Sequence, residues 1–145
     1  MGPLILHASA VAFDGRGCLI IGAAGSGKST LAMEMIAVGG QLVADDRTVV
    51  DLVDGALMLD SPAQIAGQIE VRGIGLLSVP HASAHLALIV DLDRRAPRLP
   101  PPRFHHLLGQ QCPVILAKGI RSSAAAVSVL LRNIASNKGA DGLER

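Results

Sequence analysis

The sequence predicts an α/β domain: a mixed, strand-rich sheet with one helix behind a glycine-rich loop and a second helix near the C-terminus. Three observations carry that prediction. The apolar run Cys18-Leu19-Ile20-Ile21 reads as a strand buried on both faces. It runs directly into the glycine-rich stretch Gly22 to Ser29. A helical pattern follows at once, with Leu31, Met35 and Val38 on one face. A length of 145 residues suits one domain, and 50% hydrophobic against 17% charged residues excludes an intrinsically disordered chain. Residues 1–139 are expected to form that single domain, and 140–145 a frayed tail.

Taken in order, the first element is a hairpin. Ser9 to Phe13 leads into the turn cluster Asp14-Gly15-Arg16-Gly17, and Cys18 to Ile21 leads out. Gly39-Gly40 ends the first helix, since glycine tolerates the left-handed stop. Leu42-Val43-Ala44 is a short strand that delivers Asp45-Asp46. Thr48 to Val53 and Ala56 to Leu59 flank Asp54-Gly55, a hairpin signal. After Ser61-Pro62 come Ile69-Glu70-Val71-Arg72-Gly73-Ile74-Gly75 and the apolar run Leu76 to Val79. Leu86 to Val90 is a further buried strand, ending at Asp91. Arg94 to Arg103, RRAPRLPPPR, is a proline-broken basic loop with the character of a solvated surface. Val114 to Leu116 is the last strand. Ser122 or Ser123 caps a closing helix whose Val127, Leu130, Leu131 and Ile134 form an apolar stripe, with Asn137-Lys138-Gly139 at its end.

Composition narrows the function classes. Two Phe and no Tyr or Trp leave few faces on which nucleobases could stack, and a net charge of +1 steers the chain toward neither DNA nor an anionic membrane. No nucleic-acid or membrane partner is expected. No apolar stretch approaches the ~20 residues of a membrane span. The N-terminal residues Met1 to His7 lack the basic, then apolar, pattern of a signal peptide, so the cytoplasm is the expected compartment. Cys18 and Cys112 read as small buried hydrophobes. His81, His85, His105 and His106 show no metal-ligand spacing.

Chemistry concentrates in Gly22-Ala23-Ala24-Gly25-Ser26-Gly27-Lys28-Ser29, which matches the phosphate-binding pattern G-x-x-x-x-G-K-[ST] at every fixed position. The glycines let successive backbone N–H groups turn inward toward phosphate oxygens. Lys28 brings a compact positive charge to the outer phosphates, and the Ser29 hydroxyl can ligate Mg²⁺. The helix that follows adds the positive end of its dipole. ATP and Mg²⁺ are therefore the expected ligands, with Thr30 closing the nucleotide-binding segment. An acidic group must also hold metal or activate a nucleophile. Asp45-Asp46, Glu70 and Asp91 are the candidates, and pattern alone favours Asp91, at the end of the most apolar strand.

LHAS, GAAGSGKS, LVADD and IEVRGIGLLSV, in this order and spacing, resemble the catalytic domain of HPr kinase/phosphorylase. The resemblance is close over residues 4–80 and looser to about 136. It implies a P-loop fold of the PEP carboxykinase-like kind, and ATP-dependent phosphorylation of a serine on an HPr-like carrier of a phosphotransferase system. It further implies that His7 and Lys28 are active-site residues, Asp45 the general base, Ser29 and Glu70 the magnesium ligands, and Arg121 a late catalytic arginine. Asp91 then becomes a plain strand-end acid. A homo-oligomer, by family a hexamer, is implied as well. Thr30 stands where the family has a glutamate, and no counterpart of the longer enzymes' N-terminal domain or C-terminal phosphorylase loop is recognisable. The chain thus resembles the shortened proteobacterial form, for which kinase rather than phosphorylase activity is expected. Two other functions would use the same loop: a small-molecule kinase, and a nucleotide-sensing module without turnover.

Overall fold

Apolar runs punctuated by Asp-Gly and glycine turns fold into eleven strands and two helices across residues 2–137, the part that the computed structural model describes. The first six strands are Leu4–Leu6 (β1), Ser9–Phe13 (β2), Arg16–Ile21 (β3), Gln41–Ala44 (β4), Thr48–Val53 (β5) and Ala56–Asp60 (β6). Gln68–Val71 (β7), Gly75–Ser78 (β8), Ala84–Asp91 (β9), Phe104–Leu107 (β10) and Gln110–Leu116 (β11) follow. Lys28–Ala37 (α1) lies between β3 and β4, and Ser123–Asn137 (α2) follows β11. The expected 140–145 tail and the Lys138-Gly139 helix end fall outside the described residues.

Two of the hairpins turn where the sequence says they should. Asp14-Gly15 joins β2 to β3 and Asp54-Gly55 joins β5 to β6, with φ of 51 and 76° in the first pair and 51 and 79° in the second. Both central residues are left-handed, the backbone a two-residue hairpin turn demands. The main sheet runs β1-β5-β6-β9-β3-β2-β4, with β11 on β9 and β10 on β11. β9 is parallel to β3 and to β11, and the remaining pairs are antiparallel, so the sheet is mixed as expected. β6 pairs only with the start of β9, at Ala84 and His85, and β11 with its end, at Ile89 to Asp91.

Side-chain alternation gives the sheet two apolar faces. Val11, Phe13, Cys18, Ile20, Leu88 and Val90 point to one, where Leu31 and Met35 of α1 and Val127 and Leu131 of α2 cover them. Ala10, Ala12, Leu19 and Ile89 point to the other, which the curled sheet closes on itself with Val50, Leu57, Leu59 and Val114. Each fully buried Leu or Ile contributes about 1.5–3 kcal/mol, which lets an aliphatic core stand without aromatics. The observed architecture is an α/β domain with a strand-rich curled sheet and two helices.

The same topology assembles a site. β4 runs antiparallel to β2, and β2 antiparallel to β3, so β3 and β4 point the same way. The residues that follow their C-terminal ends, Gly22 and Asp45, therefore leave the sheet at one edge, where β2 begins at Ser9. The parallel partner β9 brings Asp91 to that edge too.

The structure corrects several expectations. Val38 does not share the buried helix face; it is the C-cap of α1 and is 46% exposed. β1 and β10 are additional strands, and β11 starts at Gln110 because β10 pairs with it back to Leu107. β7 and β8 form a separate two-stranded hairpin, tied down by the buried Ile69 and by Val79 N–H on Gly67 O. Of the two serines offered as caps, Ser122 precedes α2 and its carbonyl accepts the Ala126 N–H.

Candidate active site

A cleft of about 1040 Å³ opens at this sheet edge, between the glycine-rich loop, the Asp45-Asp46 turn and the β7–β8 hairpin. Ala24, Gly25, Gly27, Lys28, Ser29 and Thr30 form one wall, His7, Asp45 and Asp46 the floor, and Glu70 and Arg72 the facing wall. Sequence positions as far apart as 7, 28, 45 and 70 thus meet. Gly22, Ala23 and Ser26 belong to the loop without lining the cleft. Arg121 stands outside it, exposed in the turn before α2.

The loop's shape follows from its glycines. A Cβ at Gly22, whose φ is 156°, would fall 2.5 Å from Ser26 Oγ and 3.3 Å from Leu92 Cβ, so no side chain fits there. Gly27 is left-handed at φ 103° and caps α1, aiming the helix's first free N–H groups and positive dipole end at the cleft. Lys28 is 7% exposed, and its Nζ donates to Gly22 O at 2.8 Å and Ala23 O at 3.0 Å. Ala23 N–H is held in turn by Asp93 Oδ2 at 2.8 Å. Asp93 was invisible to pattern reading; an exposed loop acid has no linear signal. Asp91, which pattern favoured, is buried beneath, where its Oδ1 accepts the Asp93 N–H, and it does not reach the cleft.

The two adjacent aspartates live in different surroundings. Asp45 is 7% exposed. Its Oδ1 accepts the Ser29 hydroxyl at 2.7 Å and the Ser9 hydroxyl at 2.8 Å, and its Oδ2 accepts the Glu70 N–H at 3.3 Å. Asp46 has an exposed carboxylate, in contact with His7 Nε2 at 2.8 Å. Its backbone is left-handed, φ 69°, a conformation that Asp tolerates better than most residues. That turn is what sends successive carboxylates to different places.

The oxygens that converge here suit a hard cation. Ser29 Oγ and Asp45 Oδ1 are close enough to share one, with the Glu70 side chain on the facing wall. Among the described residues no three His, Cys, Asp or Glu side chains gather into a metal cage. Mg²⁺ needs none, because it is held by one or two protein oxygens together with substrate phosphates. The residues fit Mg²⁺ bound with a polyphosphate.

Comparison with known proteins matches residues 3–92 to the family model of the HPr Serine kinase C-terminal domain. The chain belongs to that family. It is 44% identical over 75 residues to the HPr kinase/phosphorylase of Clostridium tetani, a stretch covering 52% of this chain and 25% of that protein. The HPr kinase/phosphorylase of Clostridium acetobutylicum is 41% identical over 75 residues, again 52% of this chain and 25% of the other. The match thus spans about a quarter of the length of these curated relatives. Among solved structures, the Hpr(Ser) kinase/phosphatase from Coxiella burnetii superposes with a TM-score of 0.78 at 27% identity, covering 92% of each chain. The cleft residues singled out above all lie inside the matched segment; Arg121 and α2 lie beyond it. No helix among the described residues is long and apolar enough to cross a membrane.

Proposed function

We propose that this chain is an ATP-dependent protein kinase that uses Mg²⁺ and phosphorylates a serine on an HPr-like phosphocarrier, in keeping with its family. One observation carries the reading. A buried carboxylate, Asp45, accepts the hydroxyl of the loop serine, Ser29, while an exposed carboxylate beside it, Asp46, faces the open cleft. The first is what a metal site beside a phosphate loop needs; the second is what an incoming hydroxyl needs.

The family resemblance puts the general base at Asp45. The surroundings of the pair favour the opposite division. Oδ1 of Asp45 already accepts two hydroxyls, and the residue is only 7% exposed. Asp46 is open, and His7 orients its carboxylate. In this account Ser29, Asp45 and Glu70 hold the metal side, and Lys28 and the N-terminus of α1 hold the outer phosphates. Asp46 takes the proton from the attacking serine. Mg²⁺ held by these residues would neutralise charge that gathers on the phosphoryl group during transfer. At about 1040 Å³ the cleft stands at the upper end of the range for small-molecule sites.

Incubation with γ-labelled ATP and HPr-like carriers, followed by mapping of the labelled residue, tests this. Wild type should place phosphate on a carrier serine. Asp46→Asn, which keeps shape and tolerates the left-handed backbone, should cut transfer by about 10²–10⁴-fold while still binding ATP. Asp45→Asn should weaken Mg²⁺-dependent ATP binding itself. ATP binding with no phosphoserine on any carrier would point instead to a sensing module or a small-molecule kinase. Full transfer by Asp46→Asn would return the base to Asp45.

A further inference from the structure

We infer that Ser9 is a positioning residue for the phosphoryl-transfer step, holding the two aspartates in their separate roles; this rests on the kinase reading above. Ser9 opens β2 and is 0% exposed. A fully buried hydroxyl needs partners, and here both are functional. Its Oγ donates to Asp45 Oδ1 at 2.8 Å and accepts the backbone N–H of Asp46 at 3.3 Å. A hydroxyl offers one proton and two lone pairs, so one side chain can serve both residues at once. Neighbouring bonds lock the same joint: Ala8 N–H donates to Asp46 O at 3.1 Å, and Thr48 Oγ1 to Ala8 O at 2.9 Å.

The joint decides where the carboxylates go. Past the end of β4 at Ala44 the backbone bends, and Asp46 takes the left-handed φ of 69°. That bend sends one carboxylate under Ser29 and the other toward His7. Ser9 ties the carboxylate of the first to the amide of the second, fixing the angle between them. An alanine would fill the core equally well but would leave the Asp46 amide and one lone pair of Asp45 without their partner. Ser9 does not line the cleft, so its effect reaches substrate only through the aspartates.

Ser9→Ala and Ser9→Thr, compared with wild type, decide the matter. Ser9→Ala should lower kcat by about 10–100-fold, the scale of loss from misplaced catalytic groups, with KM for ATP and carrier within about twofold. Ser9→Thr, which keeps the hydroxyl, should recover most of the loss. Amide hydrogen exchange gives a readout free of transfer: the Asp46 N–H should lose protection in Ser9→Ala and regain it in Ser9→Thr. Wild-type kcat in Ser9→Ala, or a loss explained wholly by the unfolded fraction, would overturn the assignment. If wild type transfers nothing, the kinase reading fails, and an Asp46 amide equally protected in Ser9→Ala would sink the tie by itself.

Discussion

Gly40 offers a sharp test of how the loop helix is seated. It lies where the chain leaves α1 and turns back beneath β2, at a point where backbone and side chains nearly touch. A Cβ there would stand 2.6 Å from Val11 Cγ1, 2.9 Å from Met35 O and 3.1 Å from Phe13 Cζ. None of these can yield cheaply. Val11 and Phe13 are buried in the helix-side core, and Met35 O already accepts the N–H groups of Val38 and Gly40 that close α1. Gly40→Ala is therefore an overpacking substitution, costing about 1–3 kcal/mol. For a domain of this size that lowers Tm by roughly 3–10 °C. The loop lies at the other end of α1, ten residues or about 15 Å away, so the ATP affinity of the folded fraction should stay within about twofold. Scanning calorimetry and an ATP titration read the two effects separately. Gly2→Ala, where a Cβ meets nothing within 4 Å, is the control. A Tm for Gly40→Ala within about 1 °C of wild type would refute this packing of α1 on β2.

Four further outcomes are expected. Burial pushes the Cys112 thiol up to about 12 and the Cys18 thiol higher still, so neither should react with iodoacetamide at pH 8 until the protein unfolds. Because both folded-state values lie above the ordinary 9.0, the unfolded chain releases its thiol protons first, and stability should fall as pH climbs above about 9. Arg132 joins the helices: its Nη2 donates to Val38 O, the C-cap of α1, at 2.6 Å, and its guanidinium lies 4.5 Å over the Phe13 ring. Arg132→Ala should cost about 1–2 kcal/mol by thermal melt, and Arg132→Lys should recover little, since a lysine cannot stack and fork together. Arg121→Ala should leave ATP binding unchanged, because Arg121 stands outside the cleft; loss of binding would require the turn before α2 to reach the nucleotide.

Much of the fold was readable because its turns have chemistry. Asp14-Gly15 and Asp54-Gly55 are the residue pairs that left-handed hairpin turns select, and both hairpins form there. The β10–β11 hairpin was missed because its turn places Leu108 at φ 48°, where no leucine is expected from local preference. β1 was missed because three residues carry too little pattern, and its pairing with β5 is a tertiary event. Val38 matched the helical period, but the glycines after it stop the helix just before its side chain can turn inward.

The site divides along similar lines. Gly22 to Ser29 announces itself as a contiguous motif. The gathering of His7, Asp45 and Glu70 around it was available only through family resemblance, since a sheet edge joins them and no spacing encodes it. The apolar-strand rule pointed to Asp91, yet that carboxylate turns under the loop and supports Asp93. Ser9 looked like one more strand residue. Its role depends on the turn at Asp46, two strands of chain later, and nothing local to β2 signals it.

The most direct measurement is calorimetric titration of the protein with ATP, with and without Mg²⁺, beside Lys28→Met. Saturable binding that Mg²⁺ strengthens and that Lys28→Met abolishes is the predicted result. Equal binding by Lys28→Met, or affinity indifferent to the metal, would contradict a phosphate cradle at residues 22–29.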